Sequence, residues 1–238
     1  MCGLAPRYLE HGIDWGTGMR FGGIIFDFDG VLIDSEFVGN AHVAQYLTAA
    51  GFPTTAEQAM ARFMGLSGAN FIAAIERWIG RPLPDDFAFA RAEEDMRVFA
   101  NGVDAIDGAV AFVRSLPPAR ARAIASSSST AWIARHLDHI GLRDAFGDKL
   151  FSGKEHVARG KPAPDLYIHA AAAIGVPIGD CVILEDSPVG ATGAVASGAY
   201  VIGVCAGRHC GPDHGAVLRD IGVDAVASDY ADVARLIA

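Results

Sequence analysis

No apolar run in this chain approaches the ~20 residues that a membrane-spanning helix needs. Its longest ones, around residue 183 and over 200–205, have the length of strands. Basic excess is also lacking: 19 Lys and Arg stand against 28 Asp and Glu, a formal net charge of −9. A nucleic-acid binder needs a basic face to meet the phosphate backbone, so neither nucleic acid nor a membrane is expected as a partner. An anionic substrate must then be drawn in by local positive charge: a metal, a lysine or helix N-termini. Cysteine is scarce, at Cys2, Cys181, Cys205 and Cys210, with no C-x-x-C pair. Cys181 opens a strand-like run and reads as a small buried hydrophobe. Cys205 and Cys210 bracket His209, but at a spacing that matches no standard zinc pattern. Reduced thiols fit a cytoplasmic protein. Residues 1–18 carry neither the apolar core nor the basic start of a signal peptide. Regular patterning begins just after Met19, so 1–18 is expected to be an N-terminal extension.

What is present is a globular composition, 51% hydrophobic over 238 residues, enough for a sizeable core. Short, continuously apolar runs at 24–28, 121–125, 149–152, 181–184, 199–205 and 223–227 read as strands buried on both faces. Helical patterns lie between them, at 106–116, 130–140, 164–174, 188–197, 213–221 and 230–237. This βαβα rhythm predicts an α/β fold with a doubly wound parallel sheet, a Rossmann-like core. One stretch breaks the rhythm. Between residues 35 and 102 four helical patterns (36–50, 56–64, 68–79 and 85–100) follow one another, punctuated by Gly51, Pro53, Gly65, Gly68, Pro82 and Pro84. The expected organisation is a core from residues 19–34 and 103–238, with an inserted helical cap over 35–102.

Four segments carry chemistry, each at the carboxyl end of a predicted parallel strand, where open α/β sheets build their sites. In Phe26-Asp27-Phe28-Asp29-Gly30, the two aspartates are two apart on extended chain and face the same way. Paired carboxylates repel unless a divalent cation or a shared proton separates them. Ser126-Ser127-Ser128 follows the second strand, where a hydroxyl and backbone N–H groups can hold phosphate oxygens at a helix N-terminus. Gly160-Lys161-Pro162-Ala163-Pro164-Asp165 places a lysine on a stiff turn before a helix. Leu184-Glu185-Asp186-Ser187 ends another strand in two acids, and buried acids are rare unless paired or metal-bound.

The order DxDGxxxDS, strand-Ser, GKPxPD, EDS resembles the haloacid dehalogenase-like hydrolases, and the helical insert resembles their β-phosphoglucomutase-like phosphatase subgroup. The resemblance runs from about Met19 to the end. It implies a Mg2+-dependent phosphatase with Asp27 as nucleophile and Asp29 as general acid/base. Ser126 and Ser127 would bind phosphate, with Lys161 neutralising charge. The metal would take Asp27, the Asp29 carbonyl, Asp186 and Glu185. Dehalogenating members lack an aspartate at the position of Asp29. The mutases carry a histidine where this chain has Gly39 and an arginine where it has Gly68, so simple hydrolysis is expected and a phosphosugar mutase is the alternative. A phospho-accepting receiver-like domain is a non-enzyme alternative that lacks both the cap and the DxD spacing. The expected substrate is a small phosphorylated metabolite such as a sugar phosphate, and the expected assembly a monomer or homodimer. Ser67, Asn70 and His42 are candidates for substrate selection in the cap. The 207–212 loop after the fifth strand could border the site, with a flexible surface loop as the preferred expectation.

Overall fold

The six apolar runs become strands β1 (Gly23–Phe26), β2 (Ala121–Ser126), β3 (Leu150–Ser152), β4 (Cys181–Glu185), β5 (Tyr200–Val204) and β6 (Ala225–Ala227). They are seen in a computed structural model that describes residues 20–64, 66 and 68–238. The expected extension over 1–18, and Ser67, lie outside the described residues. The strands form one parallel sheet in the order β3-β2-β1-β4-β5-β6.

Alternation along β1 sends successive side chains to opposite faces. Ile24 and Phe26 enter one core layer, under α5 (Ala109–Ser115), α6 (Thr130–His139), α7 (Arg143–Phe146) and α11 (Tyr230–Ile237). Ile25 enters the other, under α8 (Asp165–Ala173), α9 (Pro188–Ala196) and α10 (His214–Ile221). Both layers are fully covered, which is why these strands read as unbroken apolar runs. Phe26 meets the rings of Phe112 and Phe146 edge-on at 6.2 and 5.4 Å, a burial worth about 1.5–3 kcal/mol before the ring contacts. The sequence pattern did not anticipate α7, because four residues are too few to show a helical period.

The interruption folds as four helices, α1 (Ser35–Ala49), α2 (Ala56–Phe63), α3 (Gly68–Ile79) and α4 (Phe87–Asn101). They enclose a core of their own around Val43, Leu47, Phe63, Ile75 and Phe87. A reciprocal capping box between Thr55 and Gln58 starts α2, a device worth ~1 kcal/mol. The chain leaves and re-enters the core side by side: the Asp34 N–H donates to the Asp104 carbonyl and the Ile106 N–H to the Leu32 carbonyl. No described helix is long and apolar enough to cross a membrane.

His136 on α6 carries a pH-dependent cost. It is fully buried, and its Nδ1–H donates to the Trp132 carbonyl at 2.9 Å. Its Nε2 has no partner among the described residues, and burial lowers its pKa from the ordinary 6.5. Between the folded value and 6.5 the unfolded chain binds a proton that the folded chain does not. Stability is therefore complete above the unfolded value and falls as pH drops through it. His136→Phe should lose less of its thermal midpoint than the wild type between about pH 7.5 and about pH 5.5. Parallel pH profiles would contradict this.

Candidate active site

Strand order reverses at β1: β2 and β3 lie to one side, β4, β5 and β6 to the other. Loops leaving the carboxyl ends of β1 and β4 therefore part and open a crevice. Asp27 stands at its floor, its N–H extending the ladder to the Leu184 carbonyl at 2.9 Å. Glu185 and Asp186 enter from the end of β4.

Lys161 reaches this floor from the loop before α8. Its Nζ lies 2.8 Å from Asp27 Oδ1 and 2.7 Å from Glu185 Oε1, with the side chain only 3% exposed. Burial opposes the ammonium, but the two carboxylates hold its pKa well above the ordinary value. Burial would likewise raise Glu185, yet Lys161 and the other donors keep it below the usual carboxylate range. Both Glu185 oxygens are engaged: Oε1 accepts from Lys161 and the Tyr167 hydroxyl, Oε2 from the N–H and hydroxyl of Ser187. The carboxylate also lies against the backbone of Gly190, where any Cβ would fall 1.5 Å from Oε1.

Asp27 and Asp186 are pushed well upward, first by burial. Glu185 and Asp186 add repulsion at Asp27, partly opposed by Lys161, and Glu185 and Glu36 do so at Asp186. Three buried carboxylates share one ammonium, so the floor lacks positive charge. Donor oxygens of Asp27, Glu185 and Asp186 lie within 4.8 Å of one another, and Asp186 Oδ1 is buried with no partner among the described residues. Hard oxygen donors with an unfilled buried lone pair suit Mg2+. Because Glu185 is committed to Lys161, the free oxygen belongs to Asp186. Gly30 makes room for the Asp186 carboxylate: its φ is +81°, and a Cβ there would lie 2.1 Å from Oδ2 and 3.1 Å from Oδ1.

Asp29 is held apart from this cluster by four donors. Ser35 Oγ (2.8 Å) and Trp132 Nε1 (3.0 Å) bind Oδ1. Ser128 Oγ (2.7 Å) and Ser126 Oγ (3.3 Å) bind Oδ2. Ser126 Oγ also accepts the Ser128 N–H, while Ser127 is exposed. Ser35 is the first residue of α1, so Asp29 is tied to the start of the cap. A cleft of about 520 Å³ opens between cap and core, lined by Asp95, Met96 and Phe99 of α4 and by Ser128 and Trp132.

The structure thus gathers Asp27, Lys161, Glu185 and Asp186, with Asp29 and Ser126 beside them. The cap candidates are not part of this group. His42 pairs with Glu94 of α4 at 3.5 Å, and Glu94 is gripped twice by Arg97, so His42 is a strut inside the cap. Asn70 is exposed on α3, and Ser67 lies outside the described residues. Sequence reasoning missed Trp132, Tyr167 and the cleft residues of α4. Tyr167 looks like any core aromatic, but Met96 and Phe99 are exposed apolar side chains on a polar helix, a signal that could have found them.

Of the two expectations for the 207–212 segment, the structure gives the one that borders the site, although Arg208, Gly211 and Pro212 are exposed. His209 is buried and its Nε2–H donates to Asp186 Oδ2 at 2.8 Å. The His214 Nε2–H donates to the Asp186 carbonyl at 2.6 Å. Arg208 pairs with Asp34 and lies over the Phe37 ring at 3.8 Å. A buried acid must find donors, and those available to Asp186 come from this loop and the start of α10.

The protein-family model described as haloacid dehalogenase-like hydrolase matches residues 21–198. Among curated proteins, 6-phosphogluconate phosphatase of Escherichia coli (strain K12) is 28% identical over 194 residues, 81% of this chain and 86% of that one. Hexitol phosphatase A of the same organism is 30% identical over 188 residues, 78% of this chain and 84% of that one. A hydrolase of the same family from Deinococcus radiodurans R1, solved with bound phosphate and sodium, superposes with a TM-score of 0.82 at 29% identity. That superposition covers 92% of this chain and 99% of the other.

Proposed function

Because the chain belongs to the haloacid dehalogenase-like hydrolases, we propose that it dephosphorylates a sugar phosphate or close analogue, with Asp27 as the attacking group and Mg2+ as cofactor. It is a phosphoric monoester hydrolase acting on a phosphorylated metabolite, as are its relatives. The observation that carries the mechanistic reading is the Lys161 ammonium at 2.8 Å from Asp27, with a second carboxylate, Asp29, two residues on.

Lys161 pins Asp27 Oδ1 and leaves Oδ2 to attack phosphorus. The P–O bond to the leaving group breaks as Asp29, protonated for this step, gives its proton to the departing oxygen. Water then attacks phosphorus and gives a proton back to Asp29, and the bond between phosphorus and Asp27 breaks. Ser126, the last residue of β2, and the backbone at Ser127, in the turn before α6, hold the phosphoryl oxygens. Glu185 fixes Lys161 in place. Mg2+, held by Asp27, Asp186 and the Asp29 carbonyl, would supply the positive charge this floor lacks for the incoming dianion. The organic part of the substrate lies in the cleft between α4 and Trp132.

Hydrolysis is favoured over transfer to a second sugar hydroxyl because neither Gly39 nor Gly68 offers a side chain. Among the described residues, nothing lies within 4 Å of where a Cβ would sit at either position. Excess EDTA should abolish release of phosphate from p-nitrophenyl phosphate, and added Mg2+ should restore it. Full activity in EDTA would remove the metal from this reading. A panel of 6-phosphogluconate, hexitol phosphates and β-glucose 1-phosphate with its 1,6-bisphosphate identifies the substrate and separates hydrolysis from mutase turnover.

A further inference from the structure

Outside the phosphoryl floor, one cluster brings soft donors together. Cys205 follows β5, Cys210 closes the loop after it, and His214 opens α10. One ligand atom from each lies within 4.8 Å of the others. In sequence the pair of cysteines brackets His209 at no recognisable spacing. In the fold, His214 replaces His209 as the histidine of the group, because the loop turns back so that α10 begins beside the end of β5. A Cβ on Gly215, in the first turn of α10, would lie 3.7 Å from Cys205 Sγ.

We propose that Cys205, Cys210 and His214 form a second metal site, for a thiophilic divalent cation such as Zn2+.

Three observations support it. The His214 ring is buried and oriented: its Nε2–H is spent on the Asp186 carbonyl, which leaves Nδ1 with the lone pair. Metal-binding histidines are held this way, by a carbonyl or carboxylate on the other nitrogen. The two cysteines are free thiols and only partly buried, so an ion can reach them. The three ligands also sit on separately anchored pieces of chain. The loop between the cysteines is fastened by His209, which donates to Asp186 and whose Nε2 lies 3.3 Å from Cys210 Sγ.

The donor set separates this site from the oxygen site at Asp27 and Asp186. Thiolate and imidazole select Zn2+ and its soft relatives, whereas carboxylates and carbonyls select Mg2+. On binding, both thiols lose their protons: two R–SH and M2+ give M(SR)2 and two H+, with no change in oxidation state. Three protein ligands leave a coordination position for water.

Co2+ is the probe, added under reducing conditions to protein saturated with Mg2+. The expected result is a sulfur-to-cobalt charge-transfer band in the near ultraviolet that saturates at one equivalent and is bleached by Zn2+. Cys205→Ser and Cys210→Ser should each weaken the band markedly, and the double variant should lose it, yet all keep Mg2+-dependent phosphatase activity, which shows that they fold. Asp27→Asn should keep the band. His214→Ala should weaken Co2+ binding at least ~10-fold. No band in the wild type, or an unchanged band in either serine variant, overturns the proposal. X-ray absorption on the zinc-loaded wild type needs no variant. Sulfur neighbours at ~2.3 Å support the site, and a shell of oxygen and nitrogen alone overturns it. These readings do not depend on the phosphatase mechanism.

Discussion

Asp27→Asn is expected to cut turnover of p-nitrophenyl phosphate by on the order of 10⁴–10⁶, the range for loss of a nucleophile, while the protein stays folded. Asparagine keeps the shape of the side chain and still offers an oxygen to Lys161, which lies 2.8 Å from Oδ1 in the wild type. It also removes one of the three carboxylates crowded on the floor of the crevice. Burial and the neighbouring acids push the carboxyl of Asp27 upward, so its charge is a cost to the fold. The variant should therefore melt at the wild-type temperature or above it, while the chemistry disappears. Thermal unfolding and phosphate release on one preparation check both halves. Turnover within tenfold of wild type would remove Asp27 from the role of attacking group.

Lys161→Met should harm stability as well as rate. The methionine fills much of the same volume but leaves Asp27 and Glu185 facing each other without a cation. Removing one member of a buried ion pair costs about 3–5 kcal/mol, because the partner stays buried and uncompensated. The loss should depend on pH. Glu185 is held below the usual carboxylate range by Lys161. Without Lys161, burial and mutual repulsion raise both carboxyls in the folded state above their unfolded values. The folded variant then binds protons that its unfolded chain does not, so its stability falls as pH rises above the unfolded carboxylate range. The deficit against wild type should be larger at about pH 8 than at about pH 5, measured by urea unfolding. Turnover should fall ~10²–10³-fold, the usual loss when one preorganised positive group is taken from the transition state. Equal unfolding midpoints at both pH values would show that Lys161 does not neutralise this floor.

Much of the fold was legible because its strands are buried on both faces. Residues such as Ile24, Ile25 and Phe26 have nothing polar between them, and six such runs predicted the six strands. The cap was legible for the opposite reason: four helical segments in succession have no strand to pack on and must pack on each other. Less was legible where a residue's role depends on what it meets. His42, a sequence candidate for substrate selection, is set against Glu94 by helix packing. For the 207–212 loop, nothing local reveals that Asp186 takes a donor 23 residues away.

The sequence by itself determined the parallel sheet, the helical insert and the acids and lysine at the strand ends. Strand periodicity and the DxD spacing are local properties, readable along the chain. Only the tertiary structure decided how the charges are shared. It committed Glu185 to Lys161 and left a bare oxygen on Asp186. It hung Asp29 on Trp132 and on the first residue of the cap, and it brought His214 to two cysteines. Glu185 and Lys161, and Asp29 and Trp132, are far apart in the chain, while Ser35 and His214 lie nearer their partners but meet them only because the chain turns back. Charges and lone pairs taken out of water are costly unless they find partners, and those partners are found through space rather than along the chain.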